Sequence, residues 1–574
     1  MHKHIFYIIF LALLLSFGVT GCSDEEEQTL NHAPSANAGV DLEVILGEKV
    51  SLDGSYSEDV DGDTLNYNWK ITQKPDDSNV TLDSKTVQRP SFTADVAGVY
   101  SFSLVVDDGE LSSKADSVNI TFFKKGSSQV VLPSFGVQAQ NEIYLPASAT
   151  TYKQPMLVVL LSYNDVAITE TTGTWKNRMF GSAQKGELNH YYNTISNSQF
   201  EFIAVGDDGN VSGGVVLVNL NYNHPGSETL TDSLTSASIL STEFDNALTK
   251  VATDGFDFSF YDDDNDGNIS TDELTIVFIM AGEEEAYSGN TKYEKGVWAH
   301  VDCTSPSDTP QVSGVNVLGC QGGGKYAIFG ENHYDNAQDF HMATVGIIAH
   351  ELGHAVFDLP DLYYGSASRI GQYGLMGYGS WGIATVNAFP GSTPTHMTAW
   401  SKIKTGWYTS QQVHSDENMT IDLFATGDTA YNIIKTPLFN SSSEYFLLEN
   451  RGTTGYDEAL KMVKKDGNYV GGVAIWHIDA DVVTANYATN KINASASHKG
   501  IDLEEAAGVS NDAYQSEGEP ELNLFYSGNV DAFTPNSRPS TNLYDGSVTY
   551  LFVSEISVPG IQMSVKINNP SAQP

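Results

Sequence analysis

Cysteine is nearly absent from these 574 residues. There are three in all, too few for a disulfide scaffold or for a zinc site built from several thiolates. Positive charge is almost as scarce. Lys and Arg number 29 against 72 Asp and Glu, and the resulting net charge of −43 repels phosphate backbones and anionic headgroups alike, which excludes nucleic-acid binding. Beyond the first twenty residues no apolar run approaches the ~20 residues that span a bilayer. What is plentiful points to a folded, turn-rich chain of several domains: 51 Gly, 29 Tyr and 40% hydrophobic residues. The acidity must therefore sit on folded surfaces or at cation sites.

The leader sets the compartment. Lys3 and two histidines precede an apolar stretch over residues 5–19, short for a membrane span and followed by small residues, so residues 1–21 read as a signal peptide. Val19-Thr20-Gly21-Cys22 resembles a bacterial lipobox, which implies cleavage before Cys22 and lipidation of that cysteine. Residues 22–31 form an acidic tether. Ser23-Asp24-Glu25-Glu26-Glu27 within it resembles a surface-export signal, so the expectation is an exported lipoprotein of the bacterial cell envelope, at the outer membrane or cell surface.

Over residues 32–123 short alternating strands separated by Gly/Asp turns predict an all-β sandwich. Leu52-Asp53-Gly54-Ser55, Asp59-Val60-Asp61-Gly62-Asp63 and Val106-Asp107-Asp108-Gly109 resemble a polycystic-kidney-disease (PKD) repeat. Asp59, Asp61 and Asp63 could hold a cation, or could equally be an aspartate-rich turn. A linker follows over 124–154.

The next region, 155–410, opens with the continuous apolar run Met156-Leu157-Val158-Val159-Leu160-Leu161, a buried strand. A helical stretch at 188–195 and a strand at 274–280 make it a mixed α/β domain. Val345, Ile348, Leu352 and Ala355 recur at helical spacing, and within that helix lies His350-Glu351-Leu352-Gly353-His354. Histidines at i and i+4 share one face, close enough for both imidazoles to bind one Zn²⁺, with Glu351 beside them as general base towards the attacking water. Pro360 ends the helix and lets the chain turn back towards the metal.

With Leu359-Pro360-Asp361-Leu362-Tyr363, this stretch resembles the immune inhibitor A family of secreted zinc peptidases, members of the metzincin group. The family motif H-E-x-x-H-x-x-G-x-x-D implies Asp361 as third ligand. Here Phe357 replaces the turn-forming glycine and the aspartate lies 361 − 354 = 7 residues from the second histidine instead of six. Asp358 is therefore the alternative ligand. The resemblance further implies that Met376, in Tyr373-Gly374-Leu375-Met376-Gly377-Tyr378, is the methionine beneath the metal, and that Tyr378 could stabilise the tetrahedral intermediate. It extends through the stretch from Pro394 to Trp407, where His396 reads as structural, and into a C-terminal β-rich domain over 411–574. There His477 and Asp479, alternating on a strand, read as a structural pair.

A second metal signal begins at Asp262. Asp262, Asp264, Asp266, Asn268, Ser270 and Glu273 fall at the ligand positions of an EF-hand loop with Gly267 at its sixth place, which predicts Ca²⁺, although the following residues read as a strand. Cys303 and Cys320, the two cysteines left, suit a structural disulfide in an exported protein.

Together these readings predict a multidomain chain: a PKD-like sandwich, an α/β metzincin-like zinc peptidase domain and a β-rich C-terminal domain. The expected activity is proteolysis, with protein or peptide substrates, catalytic Zn²⁺ and structural Ca²⁺. The alternatives are a cell-surface adhesin built on a peptidase-like scaffold, against which the intact Glu351 argues, and a carbohydrate-active enzyme, for which no carboxylate pair can be placed.

Overall fold

The computed structural model describes residues 31–39, 42–45, 49–55, 57–75, 77–123, 151–205, 213–226, 237–288, 295–336, 339–441, 443–462, 469–506 and 522–570. The leader, Cys22, the tether and nearly all of the linker lie outside them. The chain divides into two compact units, one ending at Lys125 and the other beginning at Gly126.

The first unit is all β. Its four-stranded sheet runs Leu42–Ile45, Asp116–Phe123, Gly98–Asp107, Asn66–Gln73, and Lys49–Ser51 and Ser91–Thr93 form a separate antiparallel pair. Along Gly98–Asp107 every second residue is buried, so Tyr100, Phe102, Leu104 and Val106 meet Trp69, Phe92 and Phe122 in one core.

The second unit is built on an eight-stranded sheet whose centre is parallel. Strand Thr275–Glu284 lies between Tyr152–Ser162 and Tyr326–Asn336, and the short strand His300–Asp302 pairs antiparallel with the last of these. Residues of Tyr152–Ser162 alternate between two apolar layers. Met156, Val158 and Leu160 face helices Thr172–Phe180, Leu188–Ile195 and Val345–Phe357, while Leu157, Val159 and Leu161 face helix Ala237–Thr253. Cover on both faces explains why the strand is apolar throughout.

The C-terminal sheet, in the order Ser410–Gln412, Ile433–Pro437, Glu444–Arg451, Gly472–Asp479, Ile501–Leu503, shares the first of these layers through Leu447, Ala474, Trp476 and Ile478. Its other face joins a three-stranded sheet, Glu417–Phe424, Gln562–Asn569 and Phe552–Ser554, around a third core. Between the regions runs a fully buried polar network. Lys402 Nζ meets Glu449 at 3.2 Å, Arg451 holds Asp457 at 2.6 and 2.7 Å, and Trp476 Nε1 donates to Glu449 at 2.9 Å. Among the described residues no helix is long and apolar enough to cross a membrane.

Candidate metal centre

Helix Val345–Phe357 is buried along most of its length, and two of its glycines explain how it is seated. A Cβ on Gly353 would lie 2.7 Å from Met376 Sδ, and one on Gly346 would lie 1.9 Å from the Ser380 carbonyl oxygen. Only glycine lets the turn carrying Met376 approach the helix this closely. That turn also orients a histidine, because His350 Nδ1 donates to the Leu375 carbonyl at 2.9 Å. His354 Nδ1 donates to the Leu359 carbonyl at 2.5 Å. Both rings are thereby oriented with Nε2 towards the shared site, the atom through which they would bind a metal.

The helix ends at Phe357 because Asp358 adopts the left-handed conformation at φ 51°. The chain then reverses and returns Asp361 to the histidines. Asp361 Oδ1 lies 3.1 Å from His350 Nε2 and 3.2 Å from His354 Nε2, and the two Nε2 atoms are 3.2 Å apart. A tetrahedral zinc with ligand distances of ~2.0–2.1 Å requires ligand–ligand edges of about 3.3 Å, so the triangle fits that ion. Burial works to raise the Asp361 carboxyl, but the two imidazoles overcome it and hold the group far below the usual carboxylate range. Burial likewise opposes the charge on His354, yet the Asp361 carboxylate raises that imidazole to about 9. Metal binding displaces this proton.

Asp358 does not join the cluster. Its carboxylate turns outward to Lys325 Nζ at 3.1 Å. Glu351 is buried and lines a cleft of about 220 Å³ together with His350, Ile347, Tyr363, Tyr378, Trp298 and Trp381. Met376 sits beneath the helix, 1% exposed. Tyr378 lines the cleft, its hydroxyl donating to the Ser366 carbonyl at 2.9 Å.

Two groups escaped the sequence reading. Glu284 accepts N–H bonds from Gly330, Ala286 and Ala299 at 2.8–3.0 Å and so fixes the backbone of two cleft-lining alanines; burial pushes its carboxyl up to about 8. Asn490 bonds Asp361 from the C-terminal region. Nothing in the spacing of either residue announces its role.

The other predicted positions are placed as follows. Oxygens of Asp262, Asp264 and Glu273 come within 4.8 Å of one another, whereas Asp266 turns its carboxylate to the Asn268 N–H at 2.7 Å and Ser270 Oγ donates to Glu273 at 2.9 Å. The loop is preceded by a 3₁₀ turn, Phe258–Tyr261, and followed by strand Thr275–Glu284, so the two helices of an EF-hand do not flank it. Asp59, Asp61 and Asp63 also gather, with Asp61 Oδ1 at 3.0 Å from the His32 ring. Cys303 and Cys320 are joined. His396 is buried beside Tyr456, and burial pushes it down to about 3, a neutral core histidine.

His477 and Asp479 are not a pair with each other. His477 bridges Glu444 at 2.9 Å and Glu504 at 3.1 Å, while Asp479 bonds His498 at 2.7 Å and caps helix Ala480–Asn486. Strand alternation gives a shared face, but the partners come from neighbouring elements.

Two histidines one helical turn apart, a carboxylate returned by a reversed chain and a glutamate in the adjoining cleft define a metallopeptidase-type centre. Comparison with known families agrees: residues 156–408 match the immune inhibitor A peptidase M6 catalytic domain, and residues 38–122 match a PKD domain family. The chain thus carries an M6 metallopeptidase domain behind a PKD-like domain.

Among solved structures, the PKD domain from KIAA 1837 protein is 30% identical, over 17% of this chain and 92% of that one, at a TM-score of 0.15. The PKD domain (329–428) from human KIAA0319 is 20% identical over 19% of this chain and 93% of that one, also at 0.15. A nucleoside hydrolase-related hypothetical protein from Saccharophagus degradans is 26% identical at the same TM-score, over 16% of this chain, which spans only 26% of that protein's length. No curated protein matches the chain.

Proposed function

We propose that the chain is an exported, lipid-anchored zinc endopeptidase. The observation that supports this most directly is the triangle of His350 Nε2, His354 Nε2 and Asp361 Oδ1, with edges of 3.1–3.2 Å, beside a cleft into which Glu351 projects. A zinc ion held by these three residues supplies Lewis acidity to the scissile carbonyl and lowers the pKa of the attacking water. Glu351 takes the proton from that water and later delivers it to the leaving amine. Trp298, Ile347 and Trp381 give the cleft apolar walls. Tyr378 can serve the developing oxyanion once its hydroxyl leaves the Ser366 carbonyl.

Asp262, Asp264 and Glu273 form the core of a Ca²⁺ site that supports the fold, with Asp266, Asn268 and Ser270 completing the loop. The anchor is the lipid on Cys22, read from the sequence.

Glu351→Gln tests the mechanism. The variant is expected to retain one zinc per chain and to lose casein hydrolysis by about 10²–10⁴-fold, because the ligands survive and the base does not. Undiminished hydrolysis refutes the role of Glu351. The parent chain is expected to incorporate labelled fatty acid and Cys22→Ala is not, since Cys22 is the residue that carries the lipid; equal labelling of the two refutes the anchor.

A further inference from the structure

We propose that Asn490, contributed by the C-terminal region, is the positioning residue that makes Asp361 a one-oxygen metal ligand; this rests on the zinc reading above. The asparagine grips the aspartate at two points. Its Oδ1 accepts the Asp361 backbone N–H at 2.7 Å, and its Nδ2 donates to Asp361 Oδ2 at 2.6 Å. Asp361 Oδ1 is left facing both imidazoles. The two carboxylate oxygens are therefore divided between two tasks, one towards the metal position and one held by the amide. The Tyr363 hydroxyl also hydrogen-bonds this carboxylate, but without the amide the carboxylate has more freedom to rotate, to bind through both oxygens or to swing out, and each of these weakens a tetrahedral site.

The surrounding chain supports the grip. Asn490 follows the 3₁₀ turn Tyr487–Thr489 in the left-handed conformation, φ 53°, which asparagine tolerates better than most residues. Tyr487 donates its hydroxyl to the Asp358 carbonyl, and Asn493 Nδ2 donates to the Leu362 carbonyl at 3.2 Å. Three side chains at intervals of three thus bracket residues 358–362, and Asn490 is the one that meets the ligand itself. Its chemistry is specific, because the grip needs an acceptor for an N–H and a donor for a carboxylate on one short planar group. Asn490 is exposed, so replacing it removes no core packing.

The test uses the full chain and three readouts: zinc affinity by competition with a chromophoric chelator, the visible spectrum of the Co²⁺-substituted protein, and the melting temperature of the metal-free protein. Asn490→Gly keeps the left-handed backbone and removes both bonds. Asn490→Asp keeps the shape and the acceptor but sets a carboxylate against Asp361. Both variants are expected to lose about 10–100-fold in zinc affinity, the aspartate at least as much as the glycine, with an altered cobalt spectrum and an unchanged metal-free melting temperature. Should the glycine variant not fold, the isosteric aspartate variant decides. Parental zinc affinity and an unaltered cobalt spectrum in the folded variants overturn the proposal. A parent chain that binds no zinc overturns instead the zinc reading on which it rests.

Discussion

Asp358 makes the turn that the peptidase motif assigns to its glycine, whose own place is taken by Phe357. The motif needs a residue at positive φ to end the helix and reverse the chain, and here that residue is Asp358 at φ 51°, one position later than the family spacing places it. From this turning point to the ligand the count is 361 − 358 = 3, the same as from glycine to aspartate in H-E-x-x-H-x-x-G-x-x-D. The extra residue therefore belongs to the end of the helix and leaves the return to the metal unaltered. Asp361→Ala should accordingly lower zinc affinity by more than the ~10–100-fold typical of outer-shell changes, while Asp358→Ala should leave it near the parental value, as measured by chelator competition. Loss of zinc from the residue 358 variant alone would reverse the assignment. His350, Glu351 and His354 were legible in the sequence because helix geometry fixes their relative positions within five residues. Asp361 was legible only up to a choice of two, since counting residues does not reveal which one takes the left-handed turn. Asn490, 129 residues from Asp361, lay beyond any local pattern.

At the scale of elements, a sequence reveals what an element buries more readily than what it touches. The apolar runs at 156–161 and 274–280 identify the central strands because the sheet is covered on both faces. The close seating of helix Val345–Phe357 on the turn at Met376 was hidden, because Gly346 and Gly353 acquire meaning only once their neighbours are known. His477 and Asp479 illustrate the same limit, each being claimed by a different neighbour. The loop from Asp262 to Glu273 keeps the EF-hand spacing without the two flanking helices. It opens directly into strand Thr275–Glu284, whose far end carries Glu284 behind the cleft, so a cation there would secure the strand's entrance. Calcium binding to the folded state alone should raise stability by about 2.7 kcal/mol at 100 times Kd, read as a higher melting temperature. Replacing Asp264 and Glu273 together by Ala should abolish that rise without changing zinc content. A double variant that still responds to calcium as the parent does would exclude this loop as the site.

The whole molecule divides at a different place from its motifs. The zinc motif ends well before residue 410, yet residues 126–574 form one compact unit, and the reason lies in what crosses the sequence boundary. Lys402, on the catalytic side, is 1% exposed and satisfied by Glu449, while Arg451 donates to the Tyr373 carbonyl at 2.5 Å, just ahead of the turn that carries Met376. A chain cut after residue 410 would leave Lys402 without its carboxylate, expose the apolar layer shared with Leu447 and Trp476, and remove Asn490 from Asp361. Breaking one buried ion pair costs ~3–5 kcal/mol, against a typical folding stability of ~5–15 kcal/mol, and the lost apolar contacts add to that. Residues 126–410 alone should therefore fail to fold, whereas residues 126–574 should fold and bind zinc. Circular dichroism and metal analysis on the two fragments decide between them. A folded, zinc-loaded 126–410 fragment would mean that the C-terminal sheets are an accessory, and that the buried network between Lys402 and Arg451 does not hold the metal centre in shape.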